Sequence, residues 1–165
     1  MAHSAEVANE FLKMPGAMGR LTQMHLQKLV YMAHGWKLAL VGEPLADDAI
    51  EAWDYGPVFP ELYEHTKYNG RSPVARLIAP SDGNPFSFFE GDAAQGPYEA
   101  NISELDKRIL DHVWRKYGRL SAFKLSDLTH RPGTPWFKAF HERGKRSAID
   151  DREIRAHYLK LAEAA

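Results

Sequence analysis

Apolar positions recur along this chain with a helical spacing over most of its length, interrupted once by an aromatic passage and once by a run of prolines and glycines. Ser4 can cap a first short helix that has Val7 and Phe11 on one face and Pro15-Gly16 as its stop. Thr22 opens a second helix, expected to run to about Val41 before Gly42. At about 100° per residue, Leu26, Leu29, Met32, Ala33, Trp36 and Leu40 share one broad apolar arc. Gln23, Gln27, His34 and Lys37 form a narrower polar stripe. A helix this apolar crosses the middle of a domain. Lys28 lies outside the stripe, beside Met32, Gly35 and Ala39. An unpaired buried ammonium is costly, so Lys28 is expected to form a structural ion pair with Glu51 or Asp54 rather than to act as a catalytic lysine.

The aromatic passage is Ile50 to Asn69, IEAWDYGPVFPELYEHTKYN. Gly56-Pro57 breaks any helix there, because proline has no N–H and excludes the helical region from the residue before it. Pro60 suits the first position of a new helix, where its missing donor would have no partner anyway. The pattern predicts an extended arm (50–55), a rigid corner (56–59) and a helix ending near Asn69-Gly70. Between Arg71 and Tyr98 the helical period is lost to repeated prolines and glycines. A long loop is expected, with Ser87-Phe88-Phe89 as a candidate strand against the 50–55 arm.

Helical spacing returns at Ser103, a cap for a helix that buries Ile109, Leu110, Val113 and Tyr117 and ends at Gly118. Ser121 starts a short helix through Leu125 and Leu128. Thr134-Pro135 reads as cap and first position of another, carrying Trp136, Phe137 and Phe140 up to Gly144. Asp150 and Glu153 suggest a capping box, with Ile149 and Ile154 at the staple positions around it. The fold class expected is mainly α: one compact helical domain over residues 1–165, with a small β-element and a long irregular loop.

Four blocks carry a family resemblance. Leu26, Gln27, Lys28, Leu29 and Tyr31 form L-Q-K-L-x-Y, and Gly42, Pro44 and Leu45 form G-x-P-L. Glu51 to Tyr63 reads E-A-W-x-Y-G-P-V-x-P-x-L-Y, and Leu128 to Trp136 is LTHRPGTPW. Together with a closing helix at 149–158, the chain resembles the Panacea (SocA-like) antitoxin domain family. The resemblance implies a protein that binds and neutralises a cognate protein toxin. It does so either by masking the toxin directly or as an adaptor that delivers it to a ClpXP-type protease. A rigid aromatic surface orders at little entropic cost, so Tyr55, Gly56, Pro57, Phe59 and Tyr63 are the expected partner-binding residues.

Composition removes several other classes. With no cysteine, disulfides, thiolate catalysis and cysteine-based zinc sites are excluded. No H-E-x-x-H, G-x-S-x-G or phosphate-binding glycine loop occurs, so no metal, cofactor or catalytic residue is expected and the protein reads as non-enzymatic. No basic stretch precedes an apolar run at the start, and no apolar run reaches membrane-spanning length, which points to the cytoplasm without a membrane partner. The net charge of −1 hides an asymmetry: residues 1–102 hold 7 basic against 13 acidic side chains, and residues 103–146 hold 11 against 5. That basic segment supports an alternative, a DNA-binding regulator using 121–128 and 135–143 as a helix-turn-helix. Against it, the second helix spends Trp136, Phe137 and Phe140 close together, and a pI of about 6.7 is low for a duplex binder.

Overall fold

The computed structural model describes residues 2–83, 86 and 96–164. Its centre is α2 (Gln23–Val41), around which α1 (Ser4–Leu12), α3 (Pro60–Thr66), α4 (Glu104–Tyr117), α5 (Ala122–His130) and α7 (Asp151–Ala164) pack. A short α6 (Pro135–Lys138) runs on into a π-helical turn, Ala139–Arg143. The mainly α architecture is the one expected, and the helix limits follow local chemistry. Thr22 accepts from the His25 N–H and Gly42 closes α2 in the left-handed region. Ser103, Ser121 and Thr134 cap α4, α5 and α6 by accepting the third amide of each.

The α2 wheel needs correction. Residues 25–38 are all buried, so the helix has no solvated stripe in its middle, while Leu40 of the expected apolar arc is 64% exposed. Gln27, His34 and Lys37 on this buried helix each tie it to a neighbouring element, as burial without a partner would be costly. The Gln27 side chain accepts from the Phe59 N–H (2.8 Å) and donates to the Phe59 carbonyl (3.1 Å). His34 Nδ1 accepts from the Leu45 and Ala46 amides, and its Nε2 lies 2.8 Å from Asp151 at the start of α7. Lys37 Nζ lies 2.8 Å from Asp106 Oδ1 on α4, off the hydrogen-bond axis. Gly35 lets α7 close on α2: a Cβ there would stand 2.3 Å from the Tyr158 ring.

The expected corner is instead a hairpin. β1 (Glu51–Trp53) pairs antiparallel with β2 (Gly56–Val58), joined by the turn Asp54-Tyr55. Pro57 is tolerated because its partner Ala52 turns its own amide the other way, to the Ser147 carbonyl (2.9 Å). The outer neighbour of β1 is therefore the 146–149 segment, which also donates from Arg146 to Ala52 and from Ile149 to Ile50. The candidate strand at Ser87-Phe88-Phe89 lies outside the described residues. Residues 71–83 form no helix or strand, as anticipated, yet they are anchored: Val74 bonds Leu21, and the Asn9 amide accepts from and donates to Ile78. Asp150 does cap α7, accepting from the Arg152 N–H at 2.7 Å, but Glu153 turns away to Arg143 and closes no capping box.

Candidate functional site

The hairpin is held from two sides. From α2, Gln27 clamps Phe59, and Lys28 Nζ donates to the Pro57 carbonyl at 2.8 Å. From the second half of the chain, Ser126 Oγ donates to the Tyr55 carbonyl and Trp136 Nε1 to the Trp53 carbonyl (2.6 Å). Gly56 sits between these braces at φ 115°, a region that favours glycine. A Cβ there would meet Lys28 Cε, Lys28 Nζ and Thr129 Oγ1, each at 3.1 Å. The blocks 26–31, 51–63 and 128–136 thus converge on one small piece of backbone.

The ion pair expected of Lys28 with Glu51 or Asp54 does not form. The two-residue period of β1 turns Ala52 inward and Glu51 outward with Trp53, and Glu51 accepts from Trp53 Nε1 at 2.7 Å. Asp54, in the turn, faces Lys145 at 3.3 Å. Lys28 is left 1% exposed with a carbonyl as its partner, and burial pushes its ammonium down to about 7.

The five expected contact residues divide. Tyr55, at the hairpin tip, is 66% exposed, and Tyr63 is half-buried. Gly56, Pro57 and Phe59 are buried, Phe59 completely, its ring edge-on to His34, so these three shape the hairpin from below and present no surface. Trp53 is half-buried between the Tyr63 ring (4.9 Å) and the Arg146 guanidinium (4.3 Å). Arg146 holds this position at φ 63°, the left-handed region uncommon for a side-chain-bearing residue. Neither Arg146 nor Lys145 was visible as a hairpin neighbour, because nothing local in the sequence relates them to residues 53 and 54.

The sequence 26–137 matches the family described as antitoxin SocA-like, Panacea domain. The chain belongs to the SocA-like Panacea antitoxin family. It is 32% identical over 133 residues to the antitoxin SocA of Caulobacter vibrioides (strain NA1000 / CB15N). That alignment covers 79% of this chain and 66% of the relative, so the chain spans about two thirds of the relative's length. No solved structure matches. The match begins at Leu26 and ends at Phe137, so it takes in α2 from its second turn on, the hairpin and the Trp136 brace.

Two other arrangements bear on function. His3, Asp47 and Asp48 bring ligand atoms within 4.8 Å of one another. Both Asp48 oxygens are already engaged by the Ser4 N–H and hydroxyl, and His3 Nε2 contacts Glu61. The second segment of the helix-turn-helix reading is present as α6 and its π-helical continuation to Arg143, but it is spent on packing: Trp136 is buried under the hairpin, and Phe140 stacks on it at 4.6 Å. Arg143, which would face a groove, is committed to Glu153 and the Ala148 carbonyl. No helix among the described residues is long and apolar enough to cross a membrane.

Proposed function

We propose that this protein is a non-enzymatic antitoxin that acts in the cytoplasm by binding a cognate protein toxin directly, with the hairpin tip at Tyr55 and the neighbouring Tyr63 in the contact. The observation that carries this reading is the double bracing of the hairpin. Four side chains from three other elements fix its backbone, while the large aromatic at its tip is 66% exposed. An aromatic already immobilised at its backbone loses little entropy on binding and makes an interface hot spot. Membership of an antitoxin family supports the toxin as the partner.

The test is co-expression with the product of the neighbouring gene. The wild-type chain should restore growth and co-purify with that product. Tyr55→Ala and Tyr63→Ala should lose both while keeping the helical circular dichroism and the melting temperature. Retained rescue in both variants would remove the hairpin tip from the interface. Repeating the rescue in a host lacking its ClpXP-type protease separates two mechanisms: masking survives, and delivery of the toxin as a proteolytic adaptor is lost.

A further inference from the structure

Phe123 is 80% exposed, more than any other large apolar side chain among the described residues. It stands in the first turn of α5, two residues after the cap Ser121, while the inward face of that helix is made by Leu125, Ser126 and Thr129. Its ring therefore contributes nothing to the core. The next residue, Lys124, is also badly placed for folding. It occupies the third helical position after a serine cap, where an acidic side chain would complete a capping box and complement the positive end of the helix dipole. Two consecutive positions that folding would fill differently are the signature of a surface kept for something else.

The surroundings specify the chemistry. Arg119 lies in the link between α4 and α5, and Arg115 in the last turn of α4. Arg115, Arg119 and Lys124 are exposed and form no ion pair with any described residue. Cations in the last turn of α4 have a local duty toward its C-terminal dipole, but that reason does not extend to Arg119 or Lys124. The only acidic side chain on α5, Asp127, is held by Arg131 and leaves the patch positive. The hairpin tip rests on this same helix, since Ser126 Oγ, one turn from Phe123, donates to the Tyr55 carbonyl. Phe123 thus stands between exposed Arg119 and Lys124 along the chain, on the helix that also bonds the hairpin tip.

We infer that this face, centred on Phe123, docks an acidic segment of the cognate toxin that carries an apolar side chain between its carboxylates. The inference rests on the antitoxin reading and adds the chemistry of the partner surface. Exposed aromatics among cations also suit single-stranded nucleic acid. The protein partner is favoured because the chain as a whole carries −1 with a pI of about 6.7.

The experiment measures binding of the full chain to the toxin that it neutralises in co-expression, by surface resonance at low and at raised salt. Phe123→Ala should weaken Kd by at least about tenfold through faster dissociation. Arg119→Glu/Lys124→Glu should slow association about tenfold at low salt and flatten its salt dependence. Phe123→Ala should keep the wild-type urea midpoint because it removes no core contact, and the double variant should keep or raise it, since glutamate at 124 completes the capping box. Wild-type affinity and salt dependence in both variants would overturn this surface while leaving the antitoxin reading in place. Failure of the wild-type chain to bind the toxin would overturn both. Fluorescein-labelled oligothymidine or oligouridine bound in a Phe123-dependent way, with toxin binding unchanged in the variants, would reassign the face to nucleic acid.

Discussion

Replacing Lys28 with methionine should stabilise the protein at neutral pH and cease to do so in mild alkali. Lys28 is buried, donates to the Pro57 carbonyl, and has no carboxylate beside it. Burial lowers its ammonium from 10.5 to about 7. The unfolded chain then binds this proton more tightly than the folded one between those two values. Its contribution to stability is most unfavourable below pH 7, improves as pH rises through the window, and vanishes near 10.5. At 1.36 kcal/mol per unit, the penalty is about 4 kcal/mol at pH 7.5 and about 1.4 kcal/mol at pH 9.5.

Methionine removes that penalty at both pH values but leaves the Pro57 carbonyl buried without its donor, a loss of about 1–3 kcal/mol. The net effect of Lys28→Met is therefore a gain of about 1–3 kcal/mol at pH 7.5 and a change near zero or unfavourable at pH 9.5. Urea unfolding followed by tryptophan fluorescence at the two pH values measures it, with Glu51→Gln as a control that should leave the pH dependence intact. The buried tyrosines Tyr31 and Tyr158 titrate only above their ordinary range, because burial raises both, so they do not interfere in this window. A gap between wild type and Lys28→Met that stays constant from pH 7.5 to 9.5 would refute the argument.

Three other perturbations test the packing. Gly35→Ala puts a methyl group against the buried Tyr158 ring and should cost roughly 1–3 kcal/mol or more, read as a fall of several degrees in a thermal melt. Lys37→Met strands Asp106 and should cost about 3–5 kcal/mol, most of it recovered by adding Asp106→Leu; additive costs in that cycle would show the groups uncoupled. Arg146→Ala and Arg146→Gly both remove the guanidinium from Trp53, yet the alanine variant should be about 1 kcal/mol less stable because it keeps the left-handed backbone. Equal unfolding midpoints for the two would mean that no strain resides there.

What the sequence made legible was whatever a few neighbouring residues decide. The starts of α2, α4, α5 and α6 follow from a hydroxyl three residues before an amide, the ends of α2 and α4 from a glycine after the last turn, and the structure places them there. The partner of Lys28 was illegible for a physical reason: it is a backbone carbonyl, which every residue carries, whereas a search for a charged partner turns to carboxylates such as Glu51 and Asp54. The burial of Gln27, His34 and Lys37 was hidden in the same way, since a polar stripe looks alike whether it meets water or a tailored partner on another element. The hairpin illustrates the converse. Pro57 argued for a corner because it lacks a donor, and it sits in a strand because Ala52 opposite it sends its own amide elsewhere.

This division also separates scaffold from specificity. Gln27, Lys28, Gly56, Pro57 and Trp136, which lie in the blocks that carry the resemblance, spend their hydrogen bonds and their space on the hairpin backbone. Residues engaged in this way identify what is built and are not available to choose a partner. Choice must fall to side chains with no internal task, and among the described residues Tyr55 at the tip and Phe123 beside Arg119 and Lys124 answer that description. Substitution there should change which toxin is bound with the fold intact, whereas substitution at the braces should remove the surface itself.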